Sequence, residues 1–172
     1  MNKVTERDYI LPIKGMSIGK HFFDFAIDNS FFENYPQKDI LGADIKISLI
    51  FEKGSNIIEI KGLMEGSVTT QCDRCLEEMT TVVDRDLMLL VKFSDEVSEE
   101  TDDIMVLSTT ESELDLRQFF YDYIALSLPL QRVHKSGECD PEMIEKLNKY
   151  SGKISESKES VSPFEKLKDL IN

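Results

Sequence analysis

Two cysteines separated by two residues, Cys72 and Cys75, are the residues of this chain best suited to chemistry. A third cysteine, Cys139, lies much further along the chain, five residues after His134. Three thiolates and one imidazole have the number and the softness of a four-ligand zinc site. The spacing therefore predicts that Cys72, Cys75, His134 and Cys139 hold one structural zinc ion. Four protein ligands would leave no open position for water, so such a metal would stabilise the fold without taking part in catalysis.

The same residues allow two other interpretations. A C-x-x-C pair also serves thiol redox chemistry, but a redox pair usually begins a helix whose dipole lowers the thiol pKa. This pair lies between strand-like segments, and the nearby carboxylates of Asp73, Glu77 and Glu78 disfavour a thiolate. Bound zinc would favour thiolates strongly enough to overcome those carboxylates. In the third interpretation, the cysteines are packing or turn residues and His134 is a surface histidine.

No catalytic constellation is apparent in the sequence. The chain has two histidines, and it contains neither a glycine-rich phosphate loop nor a nucleophile elbow. No spacing pairs a nucleophile with a base. We therefore expect a protein that is not an enzyme, and we expect His21, which stands among apolar residues, to be structural.

The composition favours an acidic globular protein. The 172 residues, 41% of them hydrophobic, suffice for one domain with a buried core. Twenty basic and 33 acidic residues give a net charge of −13. Such a surface repels nucleic-acid phosphate and favours a basic protein partner, although solubility alone would explain it equally well. The polar first eight residues, the lack of a membrane-length apolar run and the odd number of cysteines predict a cytoplasmic protein with reduced thiols.

Three long strands are expected to place the C-x-x-C pair at the end of a hairpin. Apolar and polar residues alternate in the segment 44–51, which indicates a strand with one buried face. The segments 57–70 and 80–93 are the next two predicted strands, with Gly62 and Gly66 as bulge or bend points. Short connections between these strands favour an antiparallel meander.

Shorter elements surround these strands. Further strands are predicted at 9–13, 21–27 and 104–107. Residues 28–30 offer helix caps, and Ser30 with Glu33 fits a capping box for a short helix. Ser112 and Asp115 predict the start of a longer helix. Its apolar stripe contains Leu116, Phe119, Phe120, Tyr123 and Ile124.

The last third of the chain predicts two further helices. Asp140 followed by Pro141 is typical of an N-cap and the first helical residue. Residues 151–162 contain five serines and no aromatic residue, which is typical of a flexible linker. Ser162 to Glu165 then fit a capping box for a short apolar helix that would dock on the body or bind a partner. We therefore expect one domain over residues 1–150, and a linker with a short C-terminal helix over 151–172.

Together these elements predict an α+β fold. Its core is a curved antiparallel sheet, for which a barrel-like form is one alternative, with the C-terminal helices packed at one end. Three strands with apolar faces need cover, and the apolar helix stripe can supply it. The segment 94–103 is rich in Asp and Glu and is expected to form an exposed loop.

Several short motifs occur along this chain in a characteristic order. Residues 66–77 have the sequence GSVTTQCDRCLE, followed by LDL at 114–116 and IALSLPL at 124–130. Val133 and His134 then precede Cys139, and residues 163–167 have the sequence PFEKL. From about residue 40 onward, these motifs and their order resemble the YceD family of bacterial and plastid proteins.

The resemblance implies a non-enzymatic role in ribosome biogenesis, because the family is named for the accumulation of large-subunit ribosomal RNA. The family's gene is often beside that of a small basic ribosomal protein, which fits an acidic protein that binds a ribosomal or assembly protein. Many members have a further cysteine-rich segment near the end, where this chain has only Cys139.

Two alternatives to a protein-binding role remain. One is direct contact with ribosomal RNA through a local patch such as Arg74, Arg132 and Lys135. The other is a thiol redox protein that uses Cys72 and Cys75. Neither a membrane nor DNA is expected as a partner.

Overall fold

The computed structural model describes residues 9–35, 39–95 and 103–151. The strands are β1 (Ile10–Pro12), β2 (Gly19–Ile27), β3 (Ile40–Lys53), β4 (Ile57–Gln71), β5 (Glu78–Phe93), β6 (Ile104–Leu107) and β7 (Glu113–Asp115). A 3-10 helix covers Asn29–Asn34, and the α-helices are α1 (Arg117–Ser127) and α2 (Pro141–Tyr150). The predicted α+β class is therefore confirmed. No helix in these ranges is long and apolar enough to cross a membrane.

The five strands β2-β3-β4-β5-β6 form one sheet in that order. β2 to β5 are successively antiparallel, which confirms the predicted meander, whereas β6 runs parallel to β5. β1 and β7 form a separate antiparallel pair. Because β2 and β6 do not pair with each other, the sheet is open, and the barrel-like alternative is not confirmed. The segment that joins β5 to β6 is the predicted acidic loop, and its residues 96–102 lie outside the described ranges.

The core lies on one face of this sheet, as the alternating pattern predicts. Ile45, Ile47, Leu49 and Phe51 of β3 are all almost completely buried. On β5, Val83, Leu87, Leu89 and Val91 are buried too, and Phe93 on the same face is partly buried. From α1, Phe119, Phe120 and Ile124 complete the core. Each such side chain stabilises the fold by about 1.5–3 kcal/mol through the apolar surface it removes from water.

The predicted start of α1 is wrong. Residues Glu113–Asp115 form β7, where Leu114 pairs with Leu11, so the helix begins at Arg117. Ser112 is not the N-cap, because that position is Leu116. The Asp115 carboxylate accepts hydrogen bonds from the backbone N–H and the guanidinium of Arg117. Pairing with β1 buries Leu114 completely, and this tertiary gain outweighs the local capping signal.

The predicted capping box of Ser30 and Glu33 is also wrong. The segment forms a 3-10 helix whose N-cap is Asp28, and the Asp28 carboxylate accepts a hydrogen bond from the Ser30 N–H at 2.9 Å. Asp140 is the N-cap of α2 as predicted, since its carboxylate accepts from the backbone N–H groups of Glu142 and Met143. No residue of α2 is buried, so the packing of the C-terminal helices at one end of the sheet is not confirmed for this helix. The predicted linker and terminal helix, from residue 152 on, lie outside the described residues.

Gly62 and Gly66 are not bulges, because the pairing of β3 with β4 continues through both positions. The shift in register lies between Ile40 and Gly42 instead. Gly66 has a φ of 155°, and a Cβ atom there would clash with the carbonyl oxygen of Asp44. Only glycine lets the two strands approach this closely.

Candidate metal centre

A tight turn, residues 72–77, joins β4 to β5 and carries the C-x-x-C pair. The Cys72 N–H donates to the carbonyl of Glu77 at 2.8 Å, and the Leu76 N–H donates to the carbonyl of Cys72 at 2.9 Å. Leu76 has a φ of 63°, a left-handed conformation that non-glycine residues rarely adopt. The pair therefore lies at a hairpin end, as the strand pattern predicts.

The segment that follows α1 is held against this turn by hydrogen bonds. The Asp73 N–H donates to the carbonyl of Arg132 at 2.7 Å, and the Asp73 carboxylate accepts from the Arg132 N–H at 2.8 Å. The guanidinium of Arg74 donates to the carbonyl of His134 at 2.7 Å. These bonds join parts of the chain that are about 60 residues apart, and none of them needs a metal ion.

As a result, all four predicted ligands come together. The sulfur atoms of Cys72, Cys75 and Cys139 and a ring nitrogen of His134 lie within 4.8 Å of one another. We call these four residues the Cys3His cluster. The Sγ atoms of Cys72 and Cys139 are 3.9 Å apart, and Cys75 Sγ is 3.3 Å from His134 Nδ1.

These distances suit zinc. In a tetrahedral site with Zn–S bonds of about 2.3 Å and a Zn–N bond of about 2.0 Å, neighbouring ligand atoms are about 3.5–3.8 Å apart. The two short separations, 3.3 and 3.9 Å, bracket that range. All separations are within 4.8 Å, so the most distant pair would move closer by up to about 1 Å on binding the ion. The donor set and its geometry therefore fit one zinc ion with four protein ligands.

The orientation of the His134 ring also suits a metal ligand. Its Nε2 atom is 3.2 Å from the carbonyl oxygen of Glu78. A carbonyl can only accept, so Nε2 carries the proton. In the neutral ring, the lone pair of Nδ1 is then available to a metal ion held among the three sulfur atoms. Histidine ligands of metals commonly donate their second ring nitrogen to a carbonyl in this way, which fixes the ring and its tautomer. The sequence does not predict that the Glu78 carbonyl accepts from His134, because every residue has a backbone carbonyl and its role does not depend on residue type.

Backbone groups favour the thiolate form of the C-x-x-C pair. Burial raises the pKa of Cys72, but hydrogen bonds to its sulfur from the backbone of residues such as Cys75 and His134 outweigh burial and lower that pKa to about 6. Burial likewise raises the pKa of Cys75, and backbone hydrogen bonds, the largest from Asp140, bring it below its ordinary value. The thiolate is the form that binds zinc. Despite the carboxylates that the sequence places near the pair, the pKa values of Cys72 and Cys75 both lie below the ordinary value of a thiol.

The sulfur atoms of Cys72 and Cys75 also affect the pKa values of His134 and Cys139. Contact with the Cys75 sulfur raises the pKa of His134. Burial, with a further contribution from Cys72, raises the pKa of Cys139. All three cysteines are free thiols, since no disulfide joins them. The second histidine, His21, lies elsewhere: its Nε2 atom is 2.9 Å from the carbonyl oxygen of Ser17.

The family model described as "Large ribosomal RNA subunit accumulation protein YceD" matches residues 60–171. The matched segment begins within β4, later than the resemblance of the motifs indicates, and it contains every residue of the Cys3His cluster. No curated protein and no solved structure matches the chain. Since the match covers more than half of the chain, this protein belongs to the YceD family.

Proposed function

We propose that this protein is a non-enzymatic assembly factor that promotes the accumulation of large-subunit ribosomal RNA in the cytoplasm. The observation that carries the proposal is the family match over residues 60–171. The protein acts by binding a basic ribosomal or assembly protein. The net charge of −13 supports this mode, because it attracts basic proteins and opposes general affinity for RNA.

In this proposal the Cys3His cluster holds one structural zinc ion. The ion supplies no reaction chemistry; it joins four ligands from two distant parts of the chain. The hydrogen bonds of Asp73 and Arg74 position the segment that follows α1, and backbone hydrogen bonds favour the thiolate forms of Cys72 and Cys75. The zinc ion and these hydrogen bonds together hold the end of the β4–β5 hairpin against the segment after α1. The two regions then form one rigid surface.

Direct RNA binding through Arg74, Arg132 and Lys135 has less support. The Arg132 guanidinium is 3.4 Å from the carboxylate of Asp39 and 3.5 Å from that of Asp73. The Arg74 guanidinium donates to the carbonyl of His134. Two of the three cations therefore already have protein partners, and the carboxylates beside Arg132 weaken its attraction for phosphate.

The role in the cell is tested by deleting the gene and measuring the ratio of large-subunit to small-subunit ribosomal RNA. We expect the ratio to fall and a plasmid-borne copy of the gene to restore it. A normal ratio in the deletion strain would contradict the proposed function. A plasmid copy in which both Cys72 and Cys75 are replaced by Ser tests whether the role depends on the metal centre. We expect this copy not to restore the ratio.

A further inference from the structure

The face of the five-stranded sheet that points away from the core carries an apolar patch. Strand register places Phe22, Ile50, Lys61 and Met88 side by side in one row across β2, β3, β4 and β5. Phe22 is 73% exposed, Ile50 44% and Met88 48%. Four strands span about 14 Å at the usual spacing. Three of the four side chains in this row are therefore apolar and exposed, and the aliphatic stem of Lys61 lies between Ile50 and Met88.

The neighbouring rows widen the patch and give it an acidic border. One neighbouring row is Asp24, Ser48, Leu63 and Asp86; the other is Lys20, Glu52, Glu59 and Leu90. The next row beyond Asp24 contains Ala26, Lys46, Glu65 and Asp84. These four rows contain six carboxylates and three lysines. Two of those lysines lie within ion-pair distance of carboxylates of the patch, Lys20 with Glu52 and Lys61 with Glu59.

This surface is unsuited to a second copy of the chain. A symmetric contact would bring the acidic border of one copy against the same border of the other. The chain's own residues 163–171 are a poorer match than a basic segment, because their two lysines are balanced by Glu165 and Asp169.

We propose that this patch is the docking site for a basic amphipathic segment of a protein partner. The apolar side chains of the segment cover Phe22, Ile50 and Met88, and its Lys or Arg side chains reach carboxylates such as Asp24 and Asp86. The inference rests on the proposed function, since it takes the partner to be the basic ribosomal or assembly protein. It adds the location and the chemistry of the contact.

Binding is tested with the full chain and a synthetic peptide of about 18 residues that forms a helix with Leu on one face and Lys on the other. Fluorescence anisotropy at about 0.15 M salt measures the dissociation constant. Met88→Asp is compared with Val82→Asp, which makes the same charge change on the same strand and face, outside the patch. We expect Met88→Asp to weaken binding about tenfold and Val82→Asp to leave it unchanged or slightly stronger.

The charge of the variants makes the comparison decisive. If attraction for the net negative charge were the whole cause of binding, an added carboxylate would strengthen binding at both positions, and this result would overturn the proposal. Equal binding of a peptide with Glu in place of Lys would overturn it as well. So would a peptide of residues 162–172 that binds more tightly and depends on Met88, or a dimer of the full chain that Met88→Asp dissociates. Unchanged melting temperatures in both variants confirm that the fold is intact.

A second arm in cells separates this inference from the proposed function. The deletion strain receives the wild-type gene, the Met88→Asp variant or the Val82→Asp variant, and the level of large-subunit ribosomal RNA is measured. We expect Val82→Asp to restore the level and Met88→Asp to fail. If both variants restore it, the patch is not the docking site, although the proposed function stands. If deletion itself has no effect, the proposed function fails, and the peptide experiment decides the docking site alone.

Discussion

Leu76 has the unusual backbone conformation in the turn that carries Cys72 and Cys75. Its left-handed φ of 63° costs a non-glycine residue about 1–2 kcal/mol, and its side chain is 58% exposed. A β-branched residue is still less compatible with this conformation. We therefore expect Leu76→Val to lower both the zinc affinity and the melting temperature, whereas Leu76→Gly keeps both close to the wild-type values.

Zinc competition with a chromophoric chelator measures the affinity, and thermal unfolding measures the stability. The glycine variant is the matched control, because it removes the same exposed side chain but permits the same backbone angle. Equal zinc affinities for the valine and glycine variants would show that the turn does not depend on this conformation.

At the residue scale, the types of the four ligands are visible in the sequence, because cysteine spacing and softness point to a metal. The sequence does not show which groups set the protonation state of the cysteines and the orientation of the histidine ring. The donors to the Cys72 sulfur are backbone N–H groups, and the acceptor for His134 Nε2 is the backbone carbonyl of Glu78. Such groups are present at every position, so only their placement by the fold distinguishes them.

Among the structural elements, α1 covers part of an exposed edge of β5. β6 pairs with β5 only from Leu90 onward. At Met88, the side chain of Tyr123 replaces a neighbouring strand as the hydrogen-bond partner of the backbone. Its hydroxyl donates to the Met88 carbonyl at 3.0 Å and lies 3.5 Å from the Met88 backbone nitrogen. Unpaired backbone groups on an edge strand otherwise invite pairing with another chain.

We expect Tyr123→Phe to destabilise the protein by about 0.5–1.5 kcal/mol, the usual net value of a lost hydrogen bond. Chemical denaturation measures the free energy of unfolding. Tyr150→Phe, on a side chain that is 79% exposed in α2, serves as the control and should cause no change. Equal free energies of unfolding for both variants would contradict the edge-covering role of Tyr123.

At the element scale, the long strands are predictable because alternation of apolar and polar residues depends only on which face is buried. The start of α1 is not, since the capping signal of Ser112 and Asp115 is local, while β7 forms by pairing with residues about 100 positions earlier. The parallel direction of β6 escapes prediction for a similar reason. Four residues, Ile104–Leu107, have no pattern that distinguishes parallel from antiparallel pairing.

At the scale of the whole molecule, the charge of −13 predicts weak affinity for RNA. We expect no saturable binding of a large-subunit ribosomal RNA fragment at about 0.15 M salt, because few cations are available to displace counterions from phosphate. Filter binding over a salt titration measures this. Tight binding that falls steeply as salt rises, and that Lys135→Ala reduces, would instead favour the RNA-binding alternative.

The β4–β5 hairpin and the segment after α1 meet at the Cys3His cluster, and the proposed zinc ion would join them. The metal content of the protein is therefore the most direct measurement. Mass spectrometry of protein purified under reducing conditions should find about one zinc ion per chain. Cys75→Ser should lose the metal and lower the melting temperature, while His21→Gln, outside the cluster, should keep both. Less than about a tenth of an equivalent of zinc in the wild-type protein, with unchanged stability in Cys75→Ser, would contradict the metal centre.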